Sequence, residues 1–180
     1  LTTIIENYLP GHLISVLEIY RPFVEGSAVS FEISMPSADE LAERFEKIAS
    51  KFPFLVLTEN NNVLGYAYAS AHRERAAYRW CVETTIYMAA SARGKGLGKM
   101  LYSALLNKLT ERNFTLAYGL ITLPNAASIK IHESCGFSNM ALHKNAGYKL
   151  GQWHDVLWME KTLAPFLTLQ PEPIFKPVEK

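Results

Sequence analysis

The order of hydrophobic patterns along the chain predicts a mixed α/β layer fold, with helices flanking a central sheet that is mostly antiparallel. Three observations carry this expectation. Two helical stripes precede any strong strand signal, a hairpin with an asparagine turn follows, and strand, helix, strand, helix then alternate before a closing pair of strands. A regular doubly wound parallel sheet does not fit this order.

Between Gly11 and Val24 the apolar residues Leu13, Val16, Leu17 and Tyr20 recur at helical spacing, and Pro22 marks the expected end of that helix. Ser37 and Glu40 have capping-box spacing, and Leu41, Phe45 and Ile48 continue a stripe over about 38–50. The β-rich runs 54–58 and 63–70 are joined by Asn60, Asn61 and Asn62, which predicts an antiparallel hairpin. A longer strand is expected over 78–88, where Thr84, Thr85, Ile86 and Tyr87 supply β-branched and aromatic side chains. Leu97, Leu101, Ala104, Leu105 and Leu109 mark an amphipathic helix running to about Arg112. A strand at 114–122 leads through Pro124 to a helix with Asn125 at its N-cap and Gly136 just past its end. Strands at 137–143 and 154–163 close the domain, 1–163, and leave 164–180 as a proline-rich peripheral tail.

Length and charge narrow the function. The 180 residues suit one domain, and a net charge of +1 without charged blocks gives no electrostatic grip on nucleic acid or an anionic membrane. Two cysteines, Cys81 and Cys135, build neither a disulfide framework nor a four-ligand zinc site, and no metal is expected. No apolar run reaches the roughly 18–20 residues of a membrane span, and no signal-peptide pattern opens the chain. A soluble, cytoplasmic protein is the expectation.

The most informative segment is Arg93-Gly94-Lys95-Gly96-Leu97-Gly98, set between a strand and an amphipathic helix. Glycines let a ligand approach the backbone closely, and a helix N-terminus offers unpaired N–H groups with partial positive charge. Together they make an anion site, to which Arg93 and Lys95 add charge suited to a pyrophosphate. An ATP-binding loop would need Ser or Thr after Gly-Lys, but Lys99 is followed by Met100. A dinucleotide fingerprint would need a third glycine where Lys99 stands, and an acid ending the next strand where Thr122 stands.

In this turn the chain resembles the GNAT acetyltransferases, whose Arg/Gln-x-x-Gly-x-Gly/Ala signature is matched by Arg93, Gly96 and Gly98. Asn125, Ser128, His132 and Gly136-Phe137 match a second segment of that family. Ala77-Tyr78-Arg79-Trp80, the run 83–87, Leu123-Pro124-Asn125, Gly147-Tyr148-Lys149 and 153–156 are similar to the phosphinothricin (methionine sulfoximine) acetyltransferase branch. The similarity spans about Phe31 to Leu163. It implies a sheet splayed where acetyl-CoA binds, with the backbone of Ile86, Tyr87 and Met88 along the pantetheine arm. It also implies that the amides of Gly94, Lys95, Gly96, Leu97 and Gly98 hold the pyrophosphate, with Asn125 and Ser134 near the cofactor. A homodimer is a further expectation from the resemblance.

Acetyl transfer from a thioester to an amine needs a neutral amine, a stabilised oxyanion and a protonated leaving thiolate. Glu83 matches the branch's glutamate base, and a carboxylate in a partly apolar cleft can take the ammonium proton. A backbone N–H near Tyr87 or Met88 suits the oxyanion. His132 stands where many relatives place a tyrosine acid, and an imidazole there could act as acid or base. For an amino-acid carboxylate, Arg73 and Arg75 supply donor forks close to Tyr78. Phe31 and Glu32 match a loop that covers the substrate, although Glu32 replaces the arginine of the herbicide-detoxifying enzymes. Trp153, His154 and Asp155 read as structural, since no Gly-x-Ser-x-Gly elbow accompanies them. The expected activity is acetyl-CoA-dependent N-acetylation of a small amino-acid-like amine. Acetylation of a peptide amine and a catalytically silent acetyl-CoA-binding module remain the alternatives.

Overall fold

A computed structural model describes residues 2–175, so the last five positions of the 164–180 tail lie outside the described residues. The elements are β1 (Thr3–Asn7), α1 (Leu13–Glu25), α2 (Ala38–Ala49), β2 (Phe54–Glu59), β3 (Asn62–Ala71), β4 (Cys81–Met88), α3 (Leu97–Glu111), β5 (Leu116–Thr122), α4 (Ala126–Ser134), β6 (Ser138–Lys149) and β7 (Gln152–Thr162). The strands form one sheet in the order β1-β2-β3-β4-β5-β7-β6. Every neighbouring pair is antiparallel except β4 with β5. This is the mixed, mostly antiparallel sheet expected from the sequence.

Alternation along the strands divides the core in two. Leu55, Leu57, Ala67, Ala69, Val82 and Ala117 face α3, which buries Leu101, Leu105 and Leu109 against them. On the other face Phe54, Val56 and Tyr66 meet Val16, Tyr20 and Val24 of α1 and Leu41 and Phe45 of α2. Helix α2 starts as its sequence dictates: Ser37 Oγ accepts from Glu40 N at 3.2 Å, and Glu40 Oε2 accepts from Ser37 N at 2.8 Å. Such a cap contributes about 1 kcal/mol.

Several boundaries move. Helix α1 does not stop at Pro22 but continues to Glu25. A proline in the last turn removes only its own N–H, while its carbonyl still accepts from Gly26 N at 3.0 Å, and fully buried Val24 rewards the extra turn. The strand expected from Tyr78 begins at Cys81, because Ala76–Tyr78 forms a single 3₁₀ turn. Strand β1 was not foreseen: five residues at the sheet edge, with little burial, carry almost no pattern. Strands β6 and β7 extend towards each other to the turn at Leu150 and Gly151, both with positive φ. The register of β6 shifts between His143 and Gly147, and Asp155 Oδ1 accepts from Asn145 N at 2.8 Å inside that bulge.

Residues 164–175 form neither helix nor strand but lie against the domain. Pro171 O accepts from the Trp80 indole at 2.7 Å, Arg79 meets Glu172 at 2.7 Å, and Ile174 N donates to Arg112 O at 2.9 Å. The Phe175 ring sits 5.7 Å from both Phe52 and Phe114.

Candidate active site

The parallel pairing of β4 with β5 covers three residue pairs, the last being Glu83 with Tyr118. Beyond it β4 runs on to Met88 and β5 to Thr122 without pairing, so the two strands part. At the fork Thr84 Oγ1 donates to Tyr118 O at 2.9 Å and accepts from the buried Tyr102 hydroxyl at 2.7 Å. The last paired residue of β5 is thereby held by a side chain of β4 as well as by the ladder. Burial pushes the Tyr102 phenol far above its ordinary range, so it serves only as a neutral donor.

The ladder phase says which backbone groups face the gap. Ala89 N donates to Leu64 O and His72 N to Cys81 O, so the odd-numbered residues of β4 bond β3. By period two the backbone groups of Ile86 and Met88 point towards β5 and into the gap. Tyr87, expected to offer its backbone beside them, turns that backbone to β3 instead. It contributes its ring.

A small cavity of about 80 Å³ fills the gap, lined by Thr84 to Tyr87, Leu120 to Thr122, Asn125, Ser128 and His132. It shares Val29, Tyr87, Leu120 and Thr122 with a larger cavity of about 360 Å³, whose other walls include Ser30, Phe31, His143, Val156 and Trp158. The larger volume suits a small molecule. Desolvation raises the Tyr87 phenol well above its ordinary value, keeping it neutral in this wall.

At the other end of the gap, Gly94 and Gly96 adopt φ of 74° and 77°, in the left-handed region that an L side chain resists. Gly96 is the N-cap of α3 and no side chain caps that end, leaving its first N–H groups free for an anion. Lys95 is exposed beside them. Arg93 is directed elsewhere: its Nε donates to Met88 O at 3.2 Å and its guanidinium lies 4.9 Å over the Phe23 ring. Gly98 gives α4 room, since a Cβ there would stand 2.9 Å from Ile131 Cδ1. The turn and the open strand edge therefore fit an extended ligand that carries a pyrophosphate.

Asn125 caps α4 by accepting from Ser128 N at 3.1 Å and lines the small cavity. Ser134, at the far end of that helix, is exposed and bonds Ile131 O, lining neither cavity. His132 is buried beneath the gap, between Tyr102 and Phe137. Its Nδ1 lies 2.7 Å from Ser128 O, an atom that only accepts, so Nδ1 carries the proton and Nε2 is a bare lone pair. Burial depresses its pKa below the ordinary value, against a smaller opposing effect of the Ser128 bond. At neutral pH this imidazole is uncharged and is an acceptor at Nε2.

Glu83 stands on β4 opposite Ser70, on the same sheet face as Thr85 and Tyr87. Its Oε1 is 2.9 Å from His72 Nδ1. Tyr78 packs on His72 with ring centroids 5.8 Å apart and, like Arg73 and Arg75, is exposed; none of these three, nor Glu83 itself, lines either cavity. Phe31 lines the larger cavity and lies so close to Gly147 that a Cβ there would overlap its ring.

Three participants were missed by sequence reasoning: His72, Thr84 and Lys149. Lys149 is buried and donates to Val24 O at 2.6 Å and Ser30 O at 2.7 Å, tying the loop between α1 and α2 to the end of β6. Desolvation lowers its pKa. His154 supports the same corner by donating from Nε2 to Lys149 O at 3.0 Å. Only the Gly147-Tyr148-Lys149 motif could have drawn attention there.

Two outcomes follow from the seating of His132. A Cβ on Gly119 would fall 2.4 Å from Nε2, so Gly119→Ala forces the ring aside and lowers stability by about 1–3 kcal/mol, measurable by urea denaturation. The folded protein resists protonating His132, whereas the unfolded chain takes the proton at the ordinary value of 6.5. Its contribution to stability is therefore complete above that value and declines as pH falls through the window beneath it. Denaturation at about pH 7.5 and about pH 5 tests this, because His132→Gln, which cannot titrate, loses that part of the pH dependence.

Comparison with known proteins agrees with this geometry. Residues 12–158 match the acetyltransferase (GNAT) domain. The chain is 32% identical over 160 residues to the phosphinothricin N-acetyltransferase of Streptomyces viridochromogenes, covering 89% of this chain and 86% of that one. It is 36% identical over 150 residues to the L-methionine sulfoximine/L-methionine sulfone acetyltransferase of Salmonella typhimurium, with coverages of 83% and 88%. Its fold matches the crystal structure of a phosphinothricin acetyltransferase from Sinorhizobium meliloti in complex with acetyl-CoA, with a TM-score of 0.86, 37% identity, and 90% and 89% of the two chains covered. Splayed strands, glycine turn and matching sequence together establish that this chain belongs to the GNAT acetyltransferase family.

Proposed function

We propose that the protein transfers an acetyl group from acetyl-CoA to the amino group of a small amino-acid-like substrate, of the phosphinothricin or methionine sulfoximine type, with Glu83 as base. The observation that carries this reading is the cavity of about 360 Å³ that opens from the gap between β4 and β5, on the sheet face that bears Glu83. A wall of Phe31, Val156 and Trp158 suits a compact side chain, and the Lys149 tie holds the loop that carries Phe31. The acetylation of amino-acid analogues by the relatives supports the same substrate class.

In this reading the amides from Gly94 to Gly98 hold the pyrophosphate, Ile86 and Met88 bond the pantetheine arm, and Asn125 borders it. Acetyl-CoA supplies the acetyl group as an activated thioester. Glu83 accepts a proton from the substrate ammonium, directly or through water, and so frees the lone pair that attacks. The Met88 N–H offers a fixed dipole to the oxygen on which charge develops. His132, neutral and bare at Nε2, picks up the second proton that the nitrogen sheds and passes it to the departing sulfur. Arg73 and Arg75 lie in the same loop as Tyr78 but line neither cavity, so a substrate carboxylate would meet them only from the solvent side.

A second copy of the chain is part of the proposal. Strand β6 is an edge of the sheet and exposes Met140, Leu142 and Tyr148, with Trp153 on β7 beside them. An apolar edge of this kind favours pairing. Light scattering would then give the mass of two chains, and a single-chain mass would remove the dimer. The thiols of Cys81 and Cys135 are unpaired, which supports a reducing, cytoplasmic setting.

Release of free thiol from acetyl-CoA measures the activity. L-methionine sulfoximine, L-methionine sulfone and phosphinothricin should be turned over in preference to a peptide N-terminus. Glu83→Gln should lower kcat by roughly 10²–10⁴-fold. No thiol release with any of these amines would overturn the proposal.

A further inference from the structure

His72 is the first residue beyond β3, and its N–H reaches Cys81 O at 3.5 Å. Glu83, two residues further along β4, is therefore its diagonal neighbour on one face, the arrangement in which side chains of adjacent strands meet. The imidazole Nδ1 stands 2.9 Å from Glu83 Oε1, whereas Oε2 has no hydrogen bond among the described residues.

The His72 ring is held on several sides. Tyr118 lies 4.6 Å away, Tyr78 5.8 Å and Trp158 5.9 Å, with the last two set edge-on. Its side chain is 10% exposed, against 30% for Glu83. An exposed ion pair between long side chains is held loosely and contributes little. Here the donor is walled in by rings from three separate elements, and the acceptor is the more exposed partner. Trp158 also lines the larger cavity, so the wall that fixes His72 is continuous with the substrate space.

We infer that His72 is a positioning residue for Glu83: its Nδ1–H holds Oε1, sets the carboxylate's orientation and leaves Oε2 to meet the amine. The inference rests on the reading of Glu83 as base. It requires no charge on His72, since a neutral imidazole protonated at Nδ1 donates the same bond. Its energetic weight lies in orientation, because a base must stand within hydrogen-bond reach of the proton it removes.

The test compares the parent with His72→Phe, His72→Asn, Glu83→Gln and the His72→Phe/Glu83→Gln pair, using acetyl-CoA and L-methionine sulfoximine. Loss of one hydrogen bond to a charged group corresponds to about a 10-fold to 100-fold fall in kcat for His72→Phe, with the KM for acetyl-CoA within about twofold of the parent. His72→Asn, whose amide N–H replaces the Nδ1 donor, should recover to within about fivefold of the parent. In the Glu83→Gln background, His72→Phe should cost less than about twofold, because its route of action is already gone. A parental kcat in His72→Phe, or the same loss in both backgrounds, would overturn the positioning role. Glu83→Gln at the parental rate would instead bring down the base reading, and this inference with it. Nitrogen NMR of the imidazole reads the contact without any substrate: a proton on Nδ1 that responds to Glu83→Gln is expected, and a bare Nδ1 refutes it.

Discussion

The parting of β4 from β5 after Glu83 and Tyr118 is the constraint on which the rest of the molecule depends. Parallel strands normally stay together because each carbonyl and amide finds a partner across the ladder, and opening them exposes polar groups inside the sheet. At the fork the Thr84 hydroxyl adds a bond to Tyr118 O, while the Tyr102 hydroxyl, brought from α3, donates to it in turn. The helix that begins at the glycine turn thus also pins the point where the strands divide. Glycine turn and strand fork are set by one piece of chain.

The two faces of the sheet carry different chemistry across that fork. Below it, His132 sits among Tyr102 and Phe137 in surroundings that keep it uncharged and fix its proton on Nδ1, against Ser128 O. Above it, Glu83 is reached by solvent and bonded to His72. A proton acceptor of low basicity and a carboxylate that remains hydrated at its edge are separated by the width of the sheet. The larger cavity opens from the gap between the two strands.

What the sequence revealed depended on whether the cause was local. The capping box at Ser37, the cap at Asn125 and the glycines before α3 are decided within four residues, and each was readable from its neighbours. Acetyl-CoA as co-substrate was legible because the same short turn has to suit a pyrophosphate. Pro22 misled because the burial of Val24 against the sheet is a tertiary effect that outweighs one missing donor. The backbone direction of Tyr87 depends on ladder phase, which no side-chain pattern records. His72, Thr84 and Lys149 act through partners 11, 34 and about a hundred or more positions away, so nothing beside them in the sequence signals their roles. Arg73 and Arg75 show the converse: near Tyr78 in sequence, they stay in solvent.

The tie made by Lys149 separates two properties that loops usually vary together. It grips the carbonyls of Val24 and Ser30, atoms that every residue possesses, and is indifferent to the side chains around them. Its hold on the loop does not run through the side chains of Val29 and Phe31, which line the larger cavity, and Glu32 interacts separately with Arg44 at 2.6 Å. The lysine fixes where the loop runs, and the loop's own side chains decide what the cavity wall presents.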